Sequence, residues 1–287
     1  MQSVRAAAML LTFVILSLLL IPLQAAAMAL GLKQRKTIPQ RYSRLLCSLF
    51  GIRVRVIGKP VQGRGVLMVS NHSSWLDPVV LCAASGAAFV AKSEVKTWPL
   101  FSTLARLNRT VFVDRAKRNK VGESRDEIRD RLAEGGTLVL FPEGTSSDGN
   151  RVLPFKSALM AAAESEIARD NSGHVHHVPV QPVSVAYVGV HGIPMGRENR
   201  PLYAWYGDMD LAPHLWEAFV TGPVDVIIEF HAPLTVDSAG GRKALAVQTE
   251  AIVRRGVIRA LAGQHEEQPA TPHEDAPQGA DLAGAPA

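Results

Sequence analysis

The sequence predicts an α/β fold in which a mixed, partly parallel sheet is covered by helices and preceded by a membrane helix and a basic amphipathic helix. Two observations predict it. Between residues 51 and 263, short runs rich in β-branched residues alternate with segments of helical periodicity. Before them, residues 6–32 contain no charged side chain. A chain of 287 residues with 47% hydrophobic residues and two cysteines is neither disordered throughout nor a disulfide scaffold.

Charge and composition divide the chain into three parts. Residues 1–50 are predicted to form a membrane anchor and an interfacial helix, residues 51–263 the main α/β domain, and residues 264–287 a disordered acidic tail. Residues 1–76 contain ten Lys or Arg and no Asp or Glu, whereas the tail contains five acids and no Lys or Arg. The net charge of +5 therefore comes from the apolar amino-terminal end and does not indicate a nucleic-acid partner.

The first predicted element is a membrane helix over residues 6–32. A helix of that length reaches roughly 40 Å, and Pro22 allows either a spanning helix or a bent helix lying partly in one leaflet. Arg5 precedes it and a stronger basic cluster at 33–36 follows it, which predicts that the rest of the chain lies in the cytoplasm. The alternative is a signal peptide cleaved near the small residues 25–27.

The second predicted element is a basic amphipathic helix within residues 33–50. Its apolar residues fall on one helical stripe, formed by Ile38, Tyr42, Leu45, Leu46, Leu49 and Phe50. Arg41 and Arg44 flank the stripe, as in a helix lying in an anionic membrane interface. The alternative is a core-facing helix with a solvated basic edge. Cys47 is expected opposite the stripe, and we expect it and Cys82 to be free thiols in a reducing compartment.

The body of the chain is predicted to alternate strands and helices. The predicted strands cover residues 53–57, 66–70, 88–91, 110–113, 137–141, 178–188 and 224–230. The predicted helices cover residues 78–84, 95–107, 123–134, 155–168, 213–219 and 242–262. In sheets of this kind functional residues gather where strands turn into loops, so we expect the chemistry just after the strands.

The segment Val-Ser-Asn-His-Ser-Ser-Trp-Leu-Asp-Pro, residues 69–78, ends one of these strands. Five positions separate His72 from Asp77, so the two cannot share a helical face. Pro78 favours a helix that begins there, which leaves His72 in a turn where its ring can fold back onto the Asp77 carboxylate. A carboxylate on one ring nitrogen leaves the other free to take a proton from a hydroxyl. The alternative is a capping Asp beside an incidental surface His.

Two further features follow other strands. Residues 141–149, Phe-Pro-Glu-Gly-Thr-Ser-Ser-Asp-Gly, form a turn whose backbone N–H groups can face an anion, with Glu143 at its mouth, or else a plain β-turn. Arg115 and Lys156 each follow an apolar run and can hold a phosphate or a carboxylate, or else lie in solvent at the end of an element.

Together these segments resemble the glycerophospholipid (lysophospholipid) acyltransferase family. Asn-His-Ser-Ser-Trp-Leu-Asp, Val-Phe-Val-Asp-Arg, Phe-Pro-Glu-Gly-Thr and Val-Pro-Val-Gln-Pro-Val (178–183) are similar to its four ordered sequence blocks. They extend over about 110 residues, and their order and spacing make the joint signal strong. An N-terminal membrane segment followed by a basic amphipathic helix is also typical of that family.

The resemblance implies direct acyl transfer in a ternary complex, without an acyl-enzyme. His72 is then the general base on the acceptor hydroxyl and Asp77 orients it, while the hydroxyl attacks the thioester of acyl carrier protein or coenzyme A. The implied substrate-binding residues are Arg115, which binds the anionic head group, and Glu143, Gly144, Thr145, Lys156 and Pro182. The implied partners are a membrane lysolipid and the acyl donor, with no metal and no cofactor beyond that co-substrate.

One departure from the family pattern concerns the acceptor. Many phosphatidate-forming members carry Arg directly after Phe-Pro-Glu-Gly-Thr, where this chain has Ser146. Because phosphate acceptors dominate the family, the resemblance points narrowly to 1-acyl-glycerol-3-phosphate, which gives phosphatidate. The alternative acceptor is lyso-ornithine lipid, which has no phosphate. The predicted location is a bacterial inner membrane, with the catalytic domain on the cytoplasmic side.

Other function classes have weaker support in the sequence. A membrane-tethered hydrolase or thioesterase of the serine type lacks a Gly-x-Ser-x-Gly motif, and Ser73 and Ser74 adjoin His72 too closely in the chain to form a nucleophile pair with it. The three histidines within residues 174–177 form a polar loop without a carboxylate or thiolate at metal-ligand spacing. A non-enzymatic membrane protein would tolerate His72→Ala.

Overall fold

The computed structural model describes residues 2–98, 100–113, 118–169 and 175–264. The α-helices are α1 (Gln2–Ala29), α2 (Ile38–Leu49), α3 (Asp77–Ser85), α4 (Phe101–Leu107), α5 (Arg118–Ala133), α6 (Leu211–Thr221), α7 (Val236–Ala239) and α8 (Arg242–Leu261). The strands are β1 (Ile52–Ile57), β2 (Val66–Ser70), β3 (Ala88–Lys92), β4 (Val111–Val113), β5 (Thr137–Leu140), β6 (Glu166–Arg169), β7 (Val175–His177), β8 (Val180–Val190), β9 (Ile193–Pro194) and β10 (Val224–Phe230). Short 3₁₀ helices cover Lys33–Lys36, Ser93–Thr97, Ser157–Glu164 and Arg200–Leu202.

The strands form a mixed sheet in the order β1-β10-β8-β2-β5-β3-β4, and β9 pairs with the end of β8. The block from β8 to β4 is parallel, whereas β10 runs antiparallel to β8 and parallel to β1. β6 and β7 form a separate antiparallel pair. The predicted mixed, partly parallel sheet is confirmed, and its parallel block places the carboxyl ends of β2 and β5 side by side.

Helices cover both faces of this sheet because side chains alternate along its strands. Along β2, Met68 packs into a core shared with α1, α2, α3 and α6, whereas Val69 packs into the opposite core with α5 and α8. Both side chains are fully buried, as expected for a central strand with helices on either side.

Helix α1 is long and apolar enough to cross a membrane, by length and composition, which suggests membrane association. One face of the helix is hydrogen-bonded to the rest of the protein. Arg5 Nη2 donates to the carbonyl of Val220 at 3.2 Å, the hydroxyls of Ser17 and Tyr42 are 2.5 Å apart, and Gln24 Nε2 donates to the carbonyl of Leu107 at 2.9 Å. Exposed large apolar side chains elsewhere on the helix and just after it are Val4, Leu11, Ile15, Leu18, Leu19, Leu23, Leu30 and Leu32. The inner face of the helix therefore combines these hydrogen bonds with the buried side chains of Ala6 and Phe13, whereas its outer face is rich in exposed leucine.

Helix α2 begins at Ile38, after a 3₁₀ turn, so the predicted amphipathic helix is present but shorter. Its buried side differs from the predicted stripe, because Cys47 is buried whereas Leu45 is 48% exposed. The expected position of Cys47 opposite the buried side is wrong. Helix α3 packs there, and Arg44 Nε donates to the carbonyl of Ala83 at 3.0 Å.

Both cysteines are free thiols, as predicted. Burial raises the pKa of Cys47 and of Cys82 to about 11. The two thiols therefore stay protonated at neutral pH, which makes them poor nucleophiles.

The predicted helix over residues 95–107 is divided into the 3₁₀ turn Ser93–Thr97 and helix α4. Trp98 lies between them with an extended backbone (φ −84°, ψ 118°), and Pro99 follows it in the sequence. A residue before proline avoids the helical region, so the helix cannot continue through this position.

The predicted helix over residues 155–168 is wrong. The chain there forms a 3₁₀ helix, Ser157–Glu164, with a kink at Met160, and then strand β6. The alanine-rich sequence favours a helix locally, but pairing of β6 with β7 provides backbone hydrogen bonds that override this preference.

The remaining predicted strands and helices are confirmed, with ends shifted by up to five residues. The division at residue 50 stays a prediction, since Phe13 of α1 and Leu46 of α2 belong to the same core as the sheet. The predicted tail lies outside the described residues from residue 265 onward, as does Arg115.

Candidate active site

The residues predicted to carry the chemistry lie where two neighbouring parallel strands end. β2 pairs in parallel with β5, with Val69 opposite Leu140. His72 comes shortly after the last residue of β2, and Glu143 shortly after the last residue of β5. The pairing therefore brings two segments that are far apart in the chain to one edge of the sheet.

His72 and Asp77 contact each other as the sequence predicts, with His72 Nδ1 2.8 Å from Asp77 Oδ2. Asp77 begins α3 and Pro78 follows it, so the chain turns back between the two residues. The Asp77 side chain is fully buried, whereas that of His72 is 21% exposed. Because an ionised carboxylate only accepts hydrogen bonds, His72 Nδ1 carries the proton and Nε2 is free to accept one.

The Asp77 carboxylate also organises the turn that carries His72. Its Oδ2 accepts the backbone N–H groups of Ser73 at 2.7 Å and of Ser74 at 2.9 Å. Its Oδ1 accepts the hydroxyl of Tyr187 at 2.8 Å. These bonds stabilise a negative charge that has no contact with solvent.

Sequence reasoning missed Tyr187, which is 110 residues from Asp77 in the chain. The register of the central strands places it there, with Tyr187 of β8 opposite Val226 of β10. A signal did exist, since a tyrosine in a buried strand needs a partner for its hydroxyl. Nothing in the local sequence says which residue that partner is.

Residues in the turn after β5 contact both the ring and the backbone of His72. Its ring stacks on Phe141, with centroids 4.2 Å apart and planes inclined by 17°. Its backbone N–H donates to Glu143 Oε1 at 3.2 Å, and its carbonyl accepts the N–H of Ser147 at 2.9 Å. The predicted anion-facing turn thus packs directly against the turn of the predicted base.

Asn71 fixes the other side of this turn. Its Nδ2 donates to the carbonyl of Val185 at 2.8 Å, and its Oδ1 accepts the N–H of Val185 at 2.9 Å. The side chain therefore continues the ladder between β2 and β8 by one more pair, just before His72. It satisfies two buried backbone groups that would otherwise be unpaired.

Glu143 lies inside the protein, with 1% exposure. Burial raises the pKa of its carboxyl to about 8, and the charge of Asp77 also raises it, whereas the backbone N–H groups of His72 and Leu153 and the charge of Arg254 lower it. Among the described residues, Oε2 has no hydrogen-bond partner. The raised pKa favours the protonated form of Glu143, whose Oε1 accepts the backbone N–H of His72.

The other predicted substrate-binding residues lie at different depths. Gly144 adopts a positive φ of 74° in the turn after β5, a conformation that glycine adopts without strain. Thr145 and Lys156 are exposed, and Pro182 is buried in β8 opposite Val69. Substrate binding by these residues stays a prediction, as does that by Glu143 and by Arg115.

Ser146, the residue directly after Phe-Pro-Glu-Gly-Thr, links two loops by hydrogen bonds. Its hydroxyl donates to the carbonyl of Trp205 at 2.5 Å, and the N–H of Trp205 donates to the carbonyl of Ser73 at 2.8 Å. The Trp205 ring meets that of Trp98 edge to face, with centroids 5.6 Å apart. An aromatic segment therefore lies beside the turn of His72.

A second histidine cluster bears on the hydrolase alternative. Ser184 Oγ lies 2.7 Å from His231 Nε2, and His231 Nδ1 lies 3.4 Å from Glu229 Oε1, the order of groups in a serine hydrolase. Ser184 is 2% exposed, and its hydroxyl donates to the carbonyl of Val253 at 3.0 Å. With its hydroxyl proton directed at the carbonyl of Val253 and its side chain buried, Ser184 is not placed to act as a nucleophile. The cluster is a buried structural network.

The histidines of residues 174–177 were considered above as metal ligands, but one of them contacts a carboxylate instead. His177 Nδ1 lies 2.8 Å from Asp237 Oδ2 on α7, and His174 lies outside the described residues. Within the described part of the chain, no three His, Cys, Asp or Glu side chains converge as metal ligands.

Comparison with known proteins gives the family. Residues 52–186, which carry all four sequence blocks, match the family described as Acyltransferase. A lyso-ornithine lipid O-acyltransferase from Brucella abortus is 47% identical over 251 residues, which are 88% of this chain and 93% of the relative. The chain belongs to the acyltransferase family.

Two further proteins resemble this acyltransferase. A lyso-ornithine lipid O-acyltransferase from Rhizobium meliloti is 41% identical over 261 residues, 91% of this chain and 88% of the relative. The crystal structure of the 1-acyl-sn-glycerophosphate acyltransferase PlsC from Thermotoga maritima shares the fold, with a TM-score of 0.62 and 24% identity over 90% of this chain and 97% of that one. The family, fold class and enzyme class predicted from the sequence are confirmed, and the protein is an acyltransferase of lysolipids.

Proposed function

We propose that this acyltransferase transfers a fatty acyl group from an acyl thioester to the hydroxyl of lyso-ornithine lipid. The contact between His72 and Asp77 is the observation that carries the reaction type. For the acceptor, the names of both bacterial relatives favour the alternative over 1-acyl-glycerol-3-phosphate, which the sequence alone had narrowly favoured. The neutral Ser146 supports the same choice.

In the proposed reaction, His72 Nε2 acts as the general base. Nε2 accepts the proton of the acceptor hydroxyl while the hydroxyl oxygen attacks the thioester carbonyl carbon. The imidazolium formed in this step is paired with the buried Asp77 carboxylate. The tetrahedral intermediate then collapses as the C–S bond breaks, and the proton on His72 passes to the leaving thiolate. One ester forms, one thioester is lost, and no acyl-enzyme is needed.

Charge at position 146 distinguishes the two candidate acceptors. An arginine there supplies a positive charge to a phosphate, whereas the Ser146 hydroxyl is engaged by the carbonyl of Trp205. The ornithine head group carries a carboxylate and a free amine, and a cation beside the amine would repel it. A neutral side chain at this position therefore suits lyso-ornithine lipid, with Arg115 and Lys156 as the predicted partners of its carboxylate.

The proposed location is the bacterial inner membrane, with the catalytic domain on the cytoplasmic side. Helix α1 contacts α6 near Arg5 and reaches the end of α4 through Gln24, so the domain follows the helix over most of its length. A spanning helix would leave the domain beside it in the hydrocarbon core. We therefore place α1 in one leaflet, with its leucine-rich outer face in lipid and the basic cluster at 33–36 at the anionic cytoplasmic surface.

A membrane assay with two acceptors tests this function. Full-length protein in membranes is given lyso-ornithine lipid or 1-acyl-glycerol-3-phosphate, each with acyl carrier protein and coenzyme A thioesters as donors. We expect esterification of lyso-ornithine lipid and a loss of ~10²–10⁴-fold in His72→Ala, the usual contribution of a positioned base. Activity on 1-acyl-glycerol-3-phosphate alone would overturn the acceptor. Undiminished activity of a folded His72→Ala protein would overturn the mechanism.

A further inference from the structure

We propose that Tyr187 is a positioning residue of this reaction, whose hydroxyl holds Asp77 in the orientation that keeps His72 a base. The proposal rests on the proposed function of His72. No sequence block of the family contains Tyr187, which lies beyond Val-Pro-Val-Gln-Pro-Val near the end of β8.

The two oxygens of Asp77 are held very differently. Oδ2 accepts from His72 Nδ1 and from the backbone N–H groups of Ser73 and Ser74, all of which belong to the same local turn. Among the described residues, Oδ1 has one partner, the hydroxyl of Tyr187 at 2.8 Å. The hydroxyl of Tyr187 therefore links the Asp77 carboxylate to the central sheet, whereas the other hydrogen bonds of Asp77 stay within the turn that carries His72.

Removal of this hydroxyl has consequences for the charge on Asp77. The carboxylate is fully buried and Tyr187 is 5% exposed, so water does not replace the lost donor without rearrangement. The negative charge then concentrates on the oxygen that faces His72, which makes the imidazolium easier to form. A base that is protonated more readily is active only at higher pH, and its ring is less firmly oriented.

Tyr187 remains a donor over the whole working range of the enzyme. Burial, together with the negative charge of Asp77, raises the pKa of its hydroxyl well above the ordinary value of 10.0. Further titratable groups near this part of the site are Glu143, which contacts the His72 backbone, Cys47 on α2, and Tyr203, whose ring stacks on that of Tyr187. Arg254 acts on Glu143 from α8.

The chain provides a matched control in Tyr203. Its ring stacks on that of Tyr187, with centroids 6.3 Å apart and planes 7° from parallel, and it is 2% exposed. Its hydroxyl donates to the carbonyl of Gly222 at 2.6 Å and not to Asp77. Tyr203→Phe therefore removes a buried, hydrogen-bonded tyrosine hydroxyl from the same core without touching the predicted base.

The experiment compares Tyr187→Phe, Tyr203→Phe and the parent protein for kcat, for KM of both substrates and for the pH dependence of kcat. We expect Tyr187→Phe to lower kcat by about 10-fold or more, the usual effect of losing a hydrogen bond to a charged group, with both KM values unchanged. The acid limb of its pH profile of kcat should move to higher pH. Tyr203→Phe should keep the parental kcat and acid limb.

A second measurement separates positioning from general destabilisation. If Tyr187 acts through Asp77, adding Tyr187→Phe to Asp77→Asn causes little further loss of kcat, because the partner is already altered. A parental kcat and acid limb in Tyr187→Phe, an equal loss in Tyr203→Phe, or fully additive losses in the double variant would overturn the proposal. An active His72→Ala protein would instead overturn the proposed function on which it rests.

Discussion

Replacing Glu143 with glutamine tests whether this buried carboxyl is protonated in the folded protein. The substitution keeps an oxygen for the N–H of His72 and removes the group that titrates. In the folded protein its pKa is raised by burial from 4.5 to about 8, whereas in the unfolded chain it returns to its ordinary value. Glu143 is 1% exposed, so solvent screens this effect little.

The magnitude and sign follow from proton linkage. A difference between 4.5 and about 8 corresponds, at about 1.4 kcal/mol per pH unit, to an upper limit of about 5 kcal/mol in the free energy of unfolding. Because the folded state binds the proton more tightly, this contribution is fully present below pH 4.5 and is lost as the pH rises through about 8. Glu143→Gln has no group that titrates at this position. The free energy of unfolding of the variant relative to that of the parent protein should therefore rise between pH 4.5 and about 8 and then stay constant.

Thermal unfolding in detergent micelles, measured for both proteins between about pH 5 and 9, reads this difference directly. The gap in Tm between Glu143→Gln and the parent protein should widen with pH up to about 8. A gap that is constant with pH, or that narrows as the pH rises, would show that Glu143 is ionised in the fold. Its bond to the His72 backbone would then be a bond to a carboxylate.

Two further predictions concern the turn of His72 and the acceptor. Asn71→Ala leaves both backbone groups of Val185 without their side-chain partner, so the free energy of unfolding should fall by about 1–3 kcal/mol, as measured by denaturant unfolding. The kcat should fall with it, as measured by steady-state kinetics with both substrates. Ser146→Arg should lower kcat/KM for lyso-ornithine lipid by about 10-fold through repulsion of the ornithine amine, whereas improved turnover of that lipid would contradict the proposed acceptor.

The sequence predicts the parts of the site that depend on local geometry. His72 and Asp77 lie in one turn, and Pro78 determines where the following helix begins, so their contact could be inferred without the fold. The break between Ser93–Thr97 and α4 had an equally local signal, Pro99, although the periodicity of residues 95–107 obscured it.

The parts that the sequence did not predict depend on how distant strands align. The contact of Tyr187 with Asp77 and the pairing of Asn71 with Val185 both depend on the register of β8 in the sheet. The error over residues 155–168 has another cause, since β7 follows β6 closely in the chain and the pairing of these two short strands outweighs a weak helix propensity.

The attachment of α1 to the domain has a consequence for how acceptors are selected. Because the helix is hydrogen-bonded to the domain through Arg5, Ser17 and Gln24, it moves with His72 as one body. With α1 in one leaflet, His72 therefore stays at a constant height relative to the lipid surface. On the proposed location, we therefore expect acceptors with identical head groups to react at different rates according to how deep in the bilayer their free hydroxyl lies, which would add selection by depth to selection by charge.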